Sequence, residues 1–214
     1  MPLISEQELS ESIGTLFERR VRPPGGYPDR ARPVPPGGRL SLDEVLAGRR
    51  SVRVFHDRSP DVDQLATVVG LAEAADARTW PAGRHGGAAP HALIAAFRVR
   101  GLERGLYVPA REGPGFDRIG APAWQRELAG EYADAPAIAL ICGPVHRAGD
   151  GAYGGVLVRA GAFGYALWLA ARSHGLDCSV YGATMPAVSR QAERTAPGTA
   201  HLFTVALGYA PDAG

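Results

Sequence analysis

From Val156 to His174 the chain reads Val-Leu-Val-Arg-Ala-Gly-Ala-Phe-Gly-Tyr-Ala-Leu-Trp-Leu-Ala-Ala-Arg-Ser-His, with Phe163, Tyr165, Leu167, Trp168 and Leu169 among its apolar positions. Wound as a helix, those residues cover nearly the whole circumference. A surface helix keeps one polar face, so one that is apolar all round has to be enclosed, in the middle of a domain or in an interface between subunits. Gly175 follows as the expected left-handed C-cap.

Length allows one domain of ordinary size with a sizeable core: 214 residues, 45% of them apolar. A net charge of +1 gives no case for nucleic acid or for an anionic membrane surface as partner. No apolar run is expected to reach membrane-spanning length, and Met1-Pro2-Leu3-Ile4-Ser5-Glu6 lacks a basic stretch and a signal-peptide core. A cytoplasmic protein is the expectation. The two cysteines, Cys142 and Cys178, each lie in an apolar stretch and read as small buried hydrophobes; neither they nor the scattered histidines have metal-ligand spacing. All 23 basic side chains are arginine, and without lysine no Schiff base forms. Neither a P-loop nor a Gly-x-Gly-x-x-Gly turn after a strand occurs.

The pattern predicts a short amphipathic helix over residues 4–20, then a Pro/Gly-rich leader over 21–39, and a domain from 40 to 214. Ser41-Leu42-Asp43-Glu44 is a capping box that opens a two-turn helix ending at Gly48. A second helix is expected from Asp61 to about Ala75, and strands over 92–100 and 105–109 joined by a turn at 101–104. A short helix over 124–132, a buried strand over 137–142, the long helix, a strand over 179–181, a helix to Arg194 and a closing strand over 201–207 complete the expectation.

Between the first helix and the second stands Arg49-Arg50-Ser51-Val52-Arg53-Val54-Phe55. Guanidinium groups present a planar fork of donors suited to phosphate, and Ser51 adds a short hydroxyl. A solvated basic turn would carry the same residues.

This segment after a capped helix, an apolar helix closed by His174-Gly175-Leu176-Asp177, a strand running to Gly182 and a closing strand with Leu207-Gly208-Tyr209 resemble the nitroreductase superfamily of FMN-dependent oxidoreductases. Gly105-Leu106-Tyr107-Val108-Pro109 and Gly86-Gly87-Ala88-Ala89-Pro90 are similar to its SagB-type branch, which includes azoline dehydrogenases. The resemblance spans about residues 40–210. It implies an α+β sandwich, a mostly antiparallel sheet flanked by helices, forming a homodimer through the long helix with FMN at the interface. By position, Arg49, Arg50, Ser51 and Arg53 would hold the FMN phosphate and ribityl chain. Arg84, Gly86, Gly87 and Ala88 would lie near the pyrimidine edge. Tyr181 and Gly182 would lie over the isoalloxazine, with a backbone amide near N5. Tyr181 also reads as a strand-end core aromatic, and Gly182 as a turn glycine.

One departure stands out. Azoline dehydrogenases of this branch carry a Lys-Tyr pair before the long helix, where this chain reads Ala152-Tyr153. Tyr153 is thus the candidate proton-transfer group, with a surface tyrosine as the other reading, and Tyr181 is the second catalytic candidate. Arg159 receives no role from the sequence. The resemblance implies an FMN-dependent dehydrogenase or oxidase acting on a small-molecule or peptide-derived substrate. An NAD(P)H-dependent nitro or quinone reductase, or a non-catalytic partner subunit of a peptide-modifying complex, are the alternatives.

Overall fold

Among the described residues, six strands build one sheet. They are β1 (His91–Ala96), β2 (Gly105–Pro109), β3 (Phe116–Gly120), β4 (Ala137–Gly143), β5 (Asp177–Tyr181) and β6 (Ala200–Gly208), in the order β3-β2-β1-β4-β6-β5. Every neighbouring pair of strands is antiparallel. The computed structural model describes residues 40–85, 89–145 and 153–211. The helix expected over 4–20, the Pro/Gly-rich leader and the loop residues Gly86, Gly87 and Ala88 lie outside the described residues.

The helices are α1 (Leu42–Ala47), α2 (Val62–Thr79), α3 (Ala82–His85), a 3-10 turn (Ala123–Glu127) that runs into α4 (Leu128–Glu131), α5 (Tyr153–Ser173) and α6 (Pro186–Thr195). Alternation along the strands sends side chains to two cores. Ala92, Ile94, Ala139, Ile141, Val205 and Leu207 pack under α2 and α5 with Leu65, Val68, Phe163 and Leu167. Leu93, Ala95, Ile138, Leu140 and Ala206 face the opposite way, against Val52, Phe55, Leu128, Tyr132 and Val188. The result is the expected α+β sandwich, with a helical layer on each face of the sheet.

Local chemistry explains the main boundaries. Ser41 and Glu44 make both hydrogen bonds of the capping box that starts α1. Asp61 caps α2 by accepting the Asp63 N–H at 3.0 Å. That helix runs a turn beyond the expected Ala75, because Asp76 on its last turn is gripped by Arg159. Gly175 closes α5 at φ +80°, as expected, with the Leu176 N–H reaching back to the Ala171 carbonyl.

Three expectations are corrected. The first strand ends at Ala96 rather than residue 100, since the Phe97 and Arg98 N–H groups both turn to the Pro136 carbonyl. β3 was not foreseen: Phe-Asp-Arg-Ile-Gly has little alternation, and pairing with β2 makes it a strand. Finally, α5 is long and apolar enough by length and composition to cross a membrane, contrary to the expectation that no run would be. Ala160, Phe163, Gly164, Leu167 and Ala171 nevertheless pack it onto the sheet, as in the core helix of a globular domain.

Candidate functional site

Gly48 ends α1 where a side chain would not fit. A Cβ there would lie 2.9 Å from the Arg172 guanidinium and 3.1 Å from the Glu44 carbonyl oxygen. The chain then runs along the outer edge of β5. Ser51 forms a parallel bridge with Cys178, and the Val52 N–H donates to the Cys178 carbonyl at 2.9 Å. Further on, the His56 N–H donates to the Tyr209 carbonyl at 2.8 Å. Val52 and Phe55 point into the core, which leaves Arg50, Ser51 and Arg53 exposed.

Arg49 behaves differently from its neighbours. Its guanidinium lies 5.2 Å from the ring centre of Tyr165 and 5.0 Å from that of Trp168, both on α5. Arg50 and Arg53 make no salt bridge with a carboxylate among the described residues. The base of this segment is fixed by a buried ion pair between Arg172, at the end of α5, and Asp177, at the start of β5. Asp177 also accepts the Ala210 N–H at 3.0 Å, which ties down the chain after β6.

Gly182 directly follows β5, four residues beyond Cys178. A Cβ on it would meet nothing within 4 Å, so the space in front of this turn is open. Tyr181 is turned inward: its ring centre lies 5.5 Å from that of Tyr132, and its hydroxyl is buried with no hydrogen-bond partner among the described residues.

The remaining predicted residues gather at the other end of α5. Tyr153 is the first residue of that helix and is 48% exposed. Arg84 is exposed on α3, four residues after Trp80, whose ring lies 5.9 Å from the Arg159 guanidinium. Arg159, left without a role by the sequence, clamps Asp76 through two hydrogen bonds of 2.9 and 2.6 Å. At about 1.5 Å of rise per residue, Tyr153 sits about 20 Å along the helix from Trp168 and Arg49. One chain therefore sets Arg49, Arg50, Ser51 and Arg53 beside the start of β5, with Gly182 at the far end of that strand, and keeps Tyr153 and Arg84 at the other end of α5.

Sequence reasoning missed a polar group beneath the turn at 182–185. The Tyr132 hydroxyl donates to the Ala183 carbonyl at 3.1 Å. The Met185 N–H donates to His201 Nδ1 at 3.1 Å, which puts the imidazole proton on Nε2. Nε2 lies 3.0 Å from both the Thr204 hydroxyl and the Phe203 carbonyl. Burial drives the His201 pKa down to about 4, although the Phe203 carbonyl opposes the shift. Burial also raises that of Tyr132, with the Thr204 hydroxyl acting the other way, as a hydrogen-bond donor does. These residues lie far apart in sequence, and nothing local marks them.

Both cysteines are buried free thiols, as expected. Burial pushes Cys142 up to about 12 and raises Cys178 well above its ordinary value, so neither supplies a thiolate. Among the described residues no group of three or more His, Cys, Asp or Glu side chains could hold a metal ion.

No family model matches the sequence, and no curated protein matches it. Solved structures do. A provisionally named nitroreductase from Ralstonia eutropha superimposes with a TM-score of 0.60 at 20% identity, over 87% of this chain and 88% of that one. Another, from Anabaena variabilis, gives 0.59 at 21% identity over 79% of this chain, which spans only 38% of that protein's length. An oxidoreductase containing FMN gives 0.54 at 16% identity, over 81% of this chain and 79% of that one. The chain has the nitroreductase fold.

Proposed function

We propose that residues 40–214 form an FMN-dependent oxidoreductase domain that works as a homodimer. The observation that carries this reading is the exposed Arg50, Ser51 and Arg53 on the outer side of β5, the edge strand that runs on to the open Gly182 turn. Arginines without a carboxylate partner among the described residues, next to a hydroxyl, suit a phosphate dianion. The open space before Gly182 suits a flat ring. The FMN held by one solved structure of the same fold supports the assignment.

In this reading Arg50, Ser51 and Arg53 bind the phosphate and ribityl oxygens, and Arg49, braced on Tyr165 and Trp168, adds positive field. Bound FMN supplies two-electron chemistry, accepting a hydride from a C–H next to nitrogen or oxygen. The Gly182 N–H is the fixed donor for negative charge at the ring edge. Arg84, with Gly86, Gly87 and Ala88, serves the pyrimidine edge. Tyr153 takes or returns a proton through its half-exposed hydroxyl. Tyr181, its hydroxyl enclosed, shapes the turn from beneath rather than moving protons.

Because Tyr153 and Arg84 lie at the far end of α5 from Arg49, a complete site draws on two copies of the chain. The substrate of this reading is a peptide-derived or other secondary metabolite, with oxygen reoxidising the flavin. Solved neighbours named as nitroreductases favour a second reading, an NAD(P)H-dependent nitro or quinone reductase. A non-catalytic partner subunit in a biosynthetic complex is the third, and it would stay colourless.

The deciding experiment is the visible spectrum of purified protein, with the released cofactor identified after denaturation. Stoichiometric FMN supports the reading, and colourless protein that takes up no added FMN overturns it. Consumption of NAD(P)H by the yellow protein selects the reductase.

A further inference from the structure

The turn at 182–185 is held from beneath at two points. Tyr132, just after α4, donates its hydroxyl proton to the Ala183 carbonyl, and His201, near the start of β6, accepts the Met185 N–H on Nδ1. The two anchors stand next to each other, the Tyr132 and His201 ring centres 6.4 Å apart, and Thr204 faces His201 Nε2 at 3.0 Å. The Met185 N–H donates to His201, whose Nε2 faces the Thr204 hydroxyl and the Phe203 carbonyl, and Tyr132 donates to Ala183. His201 is almost fully buried, its own N–H donates to the Ser189 hydroxyl at 3.2 Å, and its ring stands edge-on to Tyr132.

Without these contacts little would fix the turn. Gly182, Ala183 and Thr184 are exposed, and α6 begins at Pro186 with no side chain capping it. The His201 ring takes over the missing role by receiving the N-cap amide of Met185.

We infer that Tyr132 and His201 are positioning residues that hold the 182–185 turn, and through it the Gly182 backbone amide, at the cofactor edge of the site. This rests on the FMN reading above. A donor aimed at a ring edge works only if it does not have to be reoriented when charge arrives, and a glycine in a free loop would have to be. The imidazole suits the task because its buried surroundings keep it neutral and its Nδ1 lone pair available. The titratable groups around it are Tyr132 and, across the ladder on β4, Cys142. The charged residues of the neighbouring elements, Glu131, Arg190, Glu193 and Arg194, are exposed to solvent.

The test uses the full chain with Tyr132→Phe, His201→Leu and His201→Asn, the last of which retains an acceptor. Amide hydrogen exchange is followed in the turn and in β4 without flavin, and the Kd for FMN is measured by flavin fluorescence. The expected result is at least tenfold faster exchange of the Met185 amide in Tyr132→Phe and His201→Leu, with β4 still protected. FMN should bind those variants at least tenfold more weakly, and His201→Asn should recover most of both losses. Tyr132→Phe removes one oxygen and carries the test if His201→Leu does not fold. Unchanged exchange in the turn overturns the assignment, as does a loosened turn with FMN affinity within twofold of the starting protein. Starting protein that binds no FMN overturns the cofactor reading and, with it, the turn's role at the cofactor edge. The flavin-free exchange data tell that failure from a failure of the tether.

Discussion

The imidazole of His201 is neutral in the folded protein because a charge there would lose its water and gain no anion. Its folded pKa of about 4 lies below the ordinary 6.5, so between those values the unfolded chain binds a proton that the folded chain does not. Stability from this residue is therefore fully present above pH 6.5 and is lost as pH falls toward 4, by at most about 3 kcal/mol. Urea melts of the parent protein and His201→Asn at pH 7 and pH 4.5 check this, since the variant should lack that part of the acid slope. At the phosphate segment, Arg50→Ala and Arg53→Ala should each weaken FMN binding by about 10- to 100-fold, the scale of a charge-assisted hydrogen bond. Arg49→Ala should also lower thermal stability, because its guanidinium packs on Tyr165 and Trp168. Titration with FMN and a thermal melt separate the two behaviours. Gly164 is constrained in another way: a Cβ there would lie 2.4 Å from the Phe203 ring, so that ring would have to shift. Gly164→Ala should cost about 1–3 kcal/mol in a chemical denaturation.

At the level of elements, α2 and α5 are joined by a buried ion pair between Asp76 and Arg159, with Trp80 beside the guanidinium. Removing one partner strands the other in a dry place. Asp76→Ala should lose about 3 kcal/mol in a denaturant melt, and Asp76→Leu with Arg159→Met should recover much of it. The sequence carried this pair without revealing it, since 83 residues separate the partners and each alone looks like an ordinary helix charge. The same limit governs the candidate site. The capping box and the Gly175 C-cap are local, so the start of α1 and the end of α5 were legible. The Tyr132–Thr204–His201 group was not, because three distant segments build it and two of its members lie in a strand that reads as simply buried. β3 failed for a related reason: its pattern is supplied by the partner strand.

Taken as a whole molecule, the chain leaves an apolar stripe uncovered on its longest helix. Tyr153, Leu157, Gly161 and Tyr165 recur every four residues along α5, with Val158 beside them 69% exposed. The sequence demanded that this helix be enclosed, and the sheet encloses only one side of it. A second copy docked on the stripe by a two-fold axis would bury the rest. It would also bring Tyr153 and Arg84 of one copy toward Arg50 and Arg53 of the other, which a single chain separates by about 20 Å of helix. Val158→Arg should accordingly shift the protein from dimer to monomer in gel filtration and lower its FMN content together. Complementation gives the sharper test. Assayed at an FMN concentration that fills only parental sites, Arg53→Ala and Tyr153→Phe are each expected to be inactive as homodimers, having one damaged component in every site. In a mixed dimer, one site inherits both lesions and the other inherits neither. Co-expression of the two variants should then restore about a quarter of the sites to parental activity, if the chains pair at random. A site contained within one chain would leave every site in the mixture damaged, and the co-expressed protein would be as inactive as its parts.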